Sequence, residues 1–293
     1  MYQGLSAYQT TFKNVVSMEG IALHAGVPAT AVLNPAPVNT GIVFRRTDIN
    51  DKNNIVPAVY QNIVDTRLCS CFGNAEGATV SLSEHLMATL HAFGITNAFI
   101  DITGPEVPIL DGCANGYVKY FEQASVEEQS EKRKVLKIKK EVSFTDDKGN
   151  TITIKPAEQG FTVDFEIDFP AKSIGYQQLT FNMSLENFKK EIAYARTFGQ
   201  KQEIEMLRSM GLARGGSLEN AVLVDGETIV NPEGLRDKLE FVRHKILDCV
   251  GDLYQAGMPI IGSVRASKTG HYHNNMLLRE VFKFEDNYEI FCL

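Results

Sequence analysis

The stretch Glu127-Glu128-Gln129-Ser130-Glu131-Lys132-Arg133-Lys134 divides the sequence. It is charged and carries no large apolar side chain, so it reads as a solvated connector with no other role. A helix-like segment precedes it, and Val135-Leu136-Lys137-Ile138 after it alternates as a strand does. A boundary here predicts a first domain at 1–126, a linker at 127–134 and a second domain at 135–293.

On either side of that boundary the sequence echoes itself. Asn34-Pro35-Ala36-Pro37 leads into Thr40-Gly41-Ile42-Val43-Phe44, and Lys155-Pro156-Ala157-Glu158 leads into Gly160-Phe161-Thr162-Val163-Asp164-Phe165. Each reads as a strand, a proline-containing turn and a returning strand. Each half later holds a histidine-bearing helix, a glycine and an apolar strand: Gly94 before Ala98-Phe99-Ile100, and Gly257 before Pro259-Ile260-Ile261. The expected fold class is α+β, with two similar units, strands paired antiparallel and helices on one face.

Composition bounds the function. The chain has 293 residues, enough for two domains of about 100–150 residues with a core each. It is 44% hydrophobic and 22% charged, a globular mixture. Its 29 Lys+Arg against 36 Asp+Glu leave a net charge of −7, which argues against a nucleic-acid partner held through phosphate neutralisation. No run approaches the roughly 18 apolar residues of a membrane span, and Met1 to Thr10 lack a secretory profile. Five cysteines without framework spacing point to reduced thiols and a cytoplasmic setting. Cys69 and Cys71 have no second pair nearby and read as strand thiols rather than zinc ligands.

Two helices carry the chemistry. The first is expected from Ser81 to Phe93, with Gly94 closing it. Ser81 and Glu84 stand at capping-box spacing, so Glu84 has a plain structural reading as a cap. His85 lies in the first turn, where the helix dipole disfavours imidazolium and favours the neutral ring that a metal needs. The plainer reading is a structural histidine bonded under a loop. The second helix is expected from a capping pair, Asp237 with Glu240, to Gly257 and Pro259. His244, Asp248 and Asp252 recur along one of its faces. They form either a solvated polar face or a metal pair, His244 and Asp248, supported by Asp252. His91 falls on another helical face and reads as structural. His271 follows the loop Lys268-Thr269-Gly270 and precedes a helix expected from Asn275 to Phe282. Lys268-Thr269 lacks the glycines of a P-loop.

These segments together resemble the UDP-3-O-acyl-N-acetylglucosamine deacetylases of bacterial lipid A synthesis. The matching stretches run in family order over nearly the whole chain. They include Gly20-Ile21-Ala22-Leu23-His24-Ala25-Gly26, Leu68-Cys69-Ser70-Cys71, Ser83-Glu84-His85-Leu86 and Pro108-Ile109-Leu110-Asp111-Gly112. They continue with Ala195-Arg196-Thr197-Phe198-Gly199, Gly215-Gly216-Ser217-Leu218, Val242-Arg243-His244-Lys245-Ile246-Leu247-Asp248, Gly251-Asp252-Leu253 and Lys268-Thr269-Gly270-His271.

The resemblance implies two two-layer sandwich domains with their helices face to face, the active site between them, and an acyl-chain-binding insert near 198–224. It implies one catalytic zinc ion, with iron(II) as the alternative in the cell, held by His85, His244 and Asp248 with a fourth position for water. Glu84 becomes the general base, and His271, held protonated by Asp252, the acid or electrostatic stabiliser. Thr197 would bond the oxyanion. Lys245 and Lys268 would meet the polar or phosphate part of a nucleotide-sugar acyl substrate, with Phe198 and His24 also contacting it. Ile204, Met206, Leu207, Met210 and Leu212 form an expected wall for the acyl chain, or else an ordinary helix core. The expected protein is a cytoplasmic monomer with no fused second enzyme. Two rival classes stay open: an iron(II) oxygenase using two histidines and a carboxylate, and a non-catalytic binding protein with a structural metal.

Overall fold

In the computed structural model, which describes residues 5–293, the chain is α+β, with strands in several sheets and six α-helices. The helices are α1 (Glu84–Phe93), α2 (Asn115–Ala124), α3 (Leu185–Asn187), α4 (Lys201–Ser209), α5 (Glu240–Leu253) and α6 (His271–Phe282).

The echo in the sequence is an echo in topology. In the first half the strand order is Val16–Ile21, Pro28–Pro35, Ala98–Ile102, Ile42–Arg46, Ile55–Pro57. In the second half Val142–Thr145, Thr151–Lys155, Ile260–Ser267, Phe161–Asp168 and Tyr176–Asn182 follow the same order. In both, the last strand in sequence lies at the centre, antiparallel to one neighbour and parallel to the other. The two strands flanking each proline turn therefore do not pair with each other. The central strand enters between them because the helix before it supplies the crossover that a parallel pairing needs. Lys134–Ile138 and Tyr288–Cys292 extend the second sheet.

The charged stretch is not a bare connector. Val126–Lys132 is a strand paired antiparallel with Tyr8–Phe12, with Thr10 opposite Glu128 and Phe12 opposite Val126. Its acidic side chains face solvent, so their charge does not oppose strand formation. Tyr8–Phe12 is mostly buried and needs its backbone groups paired. Arg133 is fully buried, donating to the carbonyls of Ser6 and Gly94, each at 2.8 Å.

Between the two five-strand sets lie α1 and α5. Leu86, Met87 and Leu90 of α1 join the core of the first sheet, while Ala88 and Ala92 join the core formed by α5 and the second sheet. Covered on both sides, α1 buries every residue but Phe93, and the polar face of an ordinary surface helix is absent. Gly94 closes α1 in the left-handed region at φ 68°, as Gly257 does after α5 and its following 3₁₀ turn at φ 80°.

Helix starts depart from expectation. Leu82, at φ 58°, turns the chain before α1, so Ser81 lies outside the helix and pairs with Glu106 instead of capping. Asp237 accepts from the Leu239 N–H at 2.9 Å, but Glu240 pairs with Arg196, so the second capping pair does not form either. Helix α6 begins at His271, ahead of the expected Asn275.

Candidate active site

The site begins at a close crossing. A Cβ on Gly251 of α5 would stand 2.0 Å from the carbonyl oxygen of Glu84 and 3.0 Å from the Ala88 nitrogen. Only glycine lets the two backbones approach this closely, and the approach brings the first turn of α1 against the body of α5.

Three donors converge there. His85 Nε2 lies 3.4 Å and His244 Nε2 3.5 Å from the same oxygen, Oδ1 of Asp248. Nitrogen and oxygen ligands placed at 2.0–2.2 Å around a tetrahedral ion stand about 3.4 Å apart, so this spacing fits a cation at their centre. The protonation states fit as well. Burial lowers His244 to about 3 against the pull of Asp248, which keeps the ring neutral. His244 Nδ1 faces the Ala195 carbonyl at 3.4 Å, leaving Nε2 directed at Asp248 and open to a cation. Burial alone would raise Asp248, yet His244, Lys245 and His85 hold it well below the usual carboxylate range. A buried set of two imidazoles and a carboxylate suits zinc or iron(II).

A second group adjoins the first: Glu84, Asp248 and His271 each place a ligand-type atom within 4.8 Å of the others. Glu84 does not cap its helix; its carboxylate accepts the Ser70 N–H at 3.3 Å. Burial pushes its pKa up, with His271 and His85 opposing. His271 Nδ1 lies 2.8 Å from Asp252 Oδ2. Burial would lower His271, but the charge and hydrogen bond of Asp252 raise it to about 9, so the ring is an imidazolium at neutral pH. Asp252 is fully buried and accepts from four side chains, Ser70, Gln255, His271 and Asn274.

The other expected residues are placed unevenly. Lys245 donates to Asp248 Oδ2 at 2.7 Å, so its ammonium braces a carboxylate of the cluster. Thr197, Phe198 and His24 line a cavity of about 460 Å³, together with Leu23, Ile204, Leu207 and Leu218. The Phe198 ring stands 5.8 Å from that of His244, so the cavity wall adjoins the cluster. Of the expected apolar wall, Met206 and Met210 face solvent, 62% and 59% exposed. Helix α4 covers the cavity with one face only, and these two lie on the other. Lys268 is half exposed and paired with Asp168 at 2.7 Å, which places it outside the tight cluster. The Cys69 and Cys71 thiols are free, and neither joins the three-donor group.

Three contributors escaped the sequence reading. Ser70 links Glu84 and Asp252. Arg196, only 2% exposed, donates from Nε to Glu240 at 2.9 Å and fastens the loop bearing Ala195, Thr197 and Phe198 to the start of α5. Gly251 permits the helix crossing. The motif stretches contained all three, but only the folded partners give each a task.

Comparison with known proteins places the chain beside one family. The family model described as UDP-3-O-acyl N-acetylglycosamine deacetylase matches residues 9–283. A protein of Vibrio parahaemolyticus serotype O3:K6, named UDP-3-O-acyl-N-acetylglucosamine deacetylase, is 44% identical over 283 residues, 96% of this chain and 92% of its own. One of the same name from Shewanella piezotolerans is 43% identical over 285 residues, 97% of this chain and 92% of its own.

Proposed function

The chain belongs to the UDP-3-O-acyl N-acetylglycosamine deacetylase family, and from that premise we propose that it hydrolyses the N-acetyl group of UDP-3-O-(3-hydroxyacyl)-N-acetylglucosamine, releasing acetate in lipid A biosynthesis. The observation that carries this reading is the convergence of His85, His244 and Asp248 beside Glu84 and His271. The metal is zinc, with iron(II) as the cellular alternative. When bound, it supplies a Lewis acid that activates water and polarises the amide carbonyl.

The chain's own residues manage the protons. Glu84, buried and raised, takes the proton of the attacking water. His271, already protonated on account of Asp252, faces the developing negative charge and gives its proton to the departing amine. Thr197 bonds the oxyanion. Lys245 keeps Asp248 ionised and oriented, and presents the remaining positive field to the polar part of the substrate. Lys268 meets the diphosphate from the rim. The apolar walls of the cavity, Leu23, Phe198, Ile204 and Leu207, receive the acyl chain, while His24 holds the substrate beside it.

The repeated sheet order supports two two-layer domains joined through 127–134, with the site between them and the insert near 198–224 belonging to the second. Among the described residues no helix is long and apolar enough to cross a membrane. The protein is proposed to work as a cytoplasmic monomer.

Metal analysis with acetate release from UDP-3-O-acyl-N-acetylglucosamine tests the proposal. Activity should vanish in the demetallated protein and in His244→Ala and return in the wild type with added zinc. Full turnover without metal or without His244 would overturn it.

A further inference from the structure

We propose that Ser70 is a positioning residue that locks the base arm of the site to its acid arm, an inference that rests on the proposed deacetylase reading. Ser70 is 1% exposed, in the loop leading into the strand Cys71–Gly73. All three of its polar groups are engaged at the helix crossing. Its N–H points at Glu84 Oε2, 3.3 Å away, and its hydroxyl donates to Asp252 Oδ1. Its carbonyl accepts from the Ser83 hydroxyl at 3.3 Å, immediately before α1.

The arrangement constrains Asp252 in a specific way. Oδ2 is taken by His271 at 2.8 Å and Asn274 at 2.7 Å. The carboxylate can still rotate about its own bond unless Oδ1 is held, and Oδ1 is held by Ser70 and by Gln255 at 3.2 Å. Gln255, His271 and Asn274 all belong to the second half of the chain, so among the described residues Ser70 is the donor that ties this carboxylate to the first half. The same residue presents its N–H to Glu84. A shift of the loop would therefore change the aim of Glu84 and, through Asp252, of His271. The hydroxyl transfers no proton. It sets the direction in which His271 points.

The test uses the full-length, zinc-loaded protein and acetate release from UDP-3-O-acyl-N-acetylglucosamine. Wild-type turnover is measured first, and its absence would overturn the deacetylase reading on its own, whatever the variants do. Given wild-type turnover, Ser70→Ala should lower kcat about 10- to 100-fold, the size expected for losing a hydrogen bond to a charged group, with KM within about twofold. Metal per chain should stay at the wild-type level. Ser70→Thr, which keeps the hydroxyl, should stay within about threefold of wild type. Ser70→Cys, nearly the same shape with a weak donor, should fall almost as far as alanine, and it serves if Ser70→Ala does not fold. In an Asp252→Asn background the Ser70→Ala change should cost little more, since its acceptor charge is already gone. Wild-type kcat in Ser70→Ala, an equal loss in Ser70→Thr, metal loss in Ser70→Ala, or full additivity with Asp252→Asn would each overturn the role.

Discussion

Helices α1 and α5 hold corresponding places in two sheets of one strand order, each followed by a left-handed glycine and then the central strand. They serve the site in opposite ways. Helix α1 offers its end: Glu84 and His85 are its first two residues, about 100° apart around the axis, so they leave it in different directions, one as the proposed base and the other as the proposed ligand. Helix α5 offers its body: His244, Asp248 and Asp252 descend one face, about 6 Å per step. A helix end places consecutive residues in different directions, while a helix body repeats one direction at fixed intervals. A repeated scaffold thus yields an asymmetric site when one copy is used end-on and the other side-on.

The largest effect should come from the end-on contribution. Glu84→Gln removes the proposed base and leaves His85, the proposed ligand, in place, so kcat should fall about 10²-fold or more while metal per chain is retained. Acetate release beside metal analysis checks this. Near-normal turnover would reduce α1 to a donor of one ligand and break the division of labour.

Next comes the crossing itself. Gly251→Ala would set a Cβ 2.0 Å from the Glu84 carbonyl, forcing the helices apart. A loss of about 1–3 kcal/mol in stability is expected, with weaker metal binding because both helices supply proposed ligands. Thermal melting with and without zinc reads it; an unchanged melting temperature and metal affinity would show the contact to be dispensable.

The smallest and sharpest test concerns the side-on row. His271 is raised from 6.5 to about 9 by Asp252, so its proton is present at neutral pH and leaves as the pH rises through about 9. Activity should therefore fall on the alkaline side near pH 9, while the stabilisation from this ion pair, complete below about 6.5, should fade between about 6.5 and 9. Asp252→Asn removes the charge and should move the alkaline limb down by about one to two pH units. A limb that stays in place would deny Asp252 its part in protonating His271.

Parts of this molecule were legible in its sequence, and the reasons are specific. The spacing of His244, Asp248 and Asp252 marks one helix face whatever the surroundings, and the paired turn-and-strand segments announce a repeat. The misreadings have a common origin. Glu84 stands at capping distance from Ser81, but Leu82 takes Ser81 out of the helix and frees the carboxylate for the site. Val126–Lys132 is too charged to suggest a strand, because its side chains answer to solvent while its backbone answers to Tyr8–Phe12. The polar run His271-Tyr272-His273-Asn274-Asn275 hides the first turn of α6, whose Asn274 and Asn275 bond to Asp252 and to the Tyr60 carbonyl. Arg196 and Glu240 lie 44 residues apart, and Ser70 and Asp252 182 apart, so no local pattern reveals either pair.

The sequence by itself determined most of the elements, the repeat and the set of donors on α5, because backbone periodicity and apolar spacing act within a few residues. Tertiary structure alone decided that α1 meets α5 at Gly251, that Glu84 faces the site, and that His271 is charged while His244 is neutral. Those outcomes depend on burial and on charges summed over segments distant in the chain, and only the packed interior brings them within a few ångströms of one another.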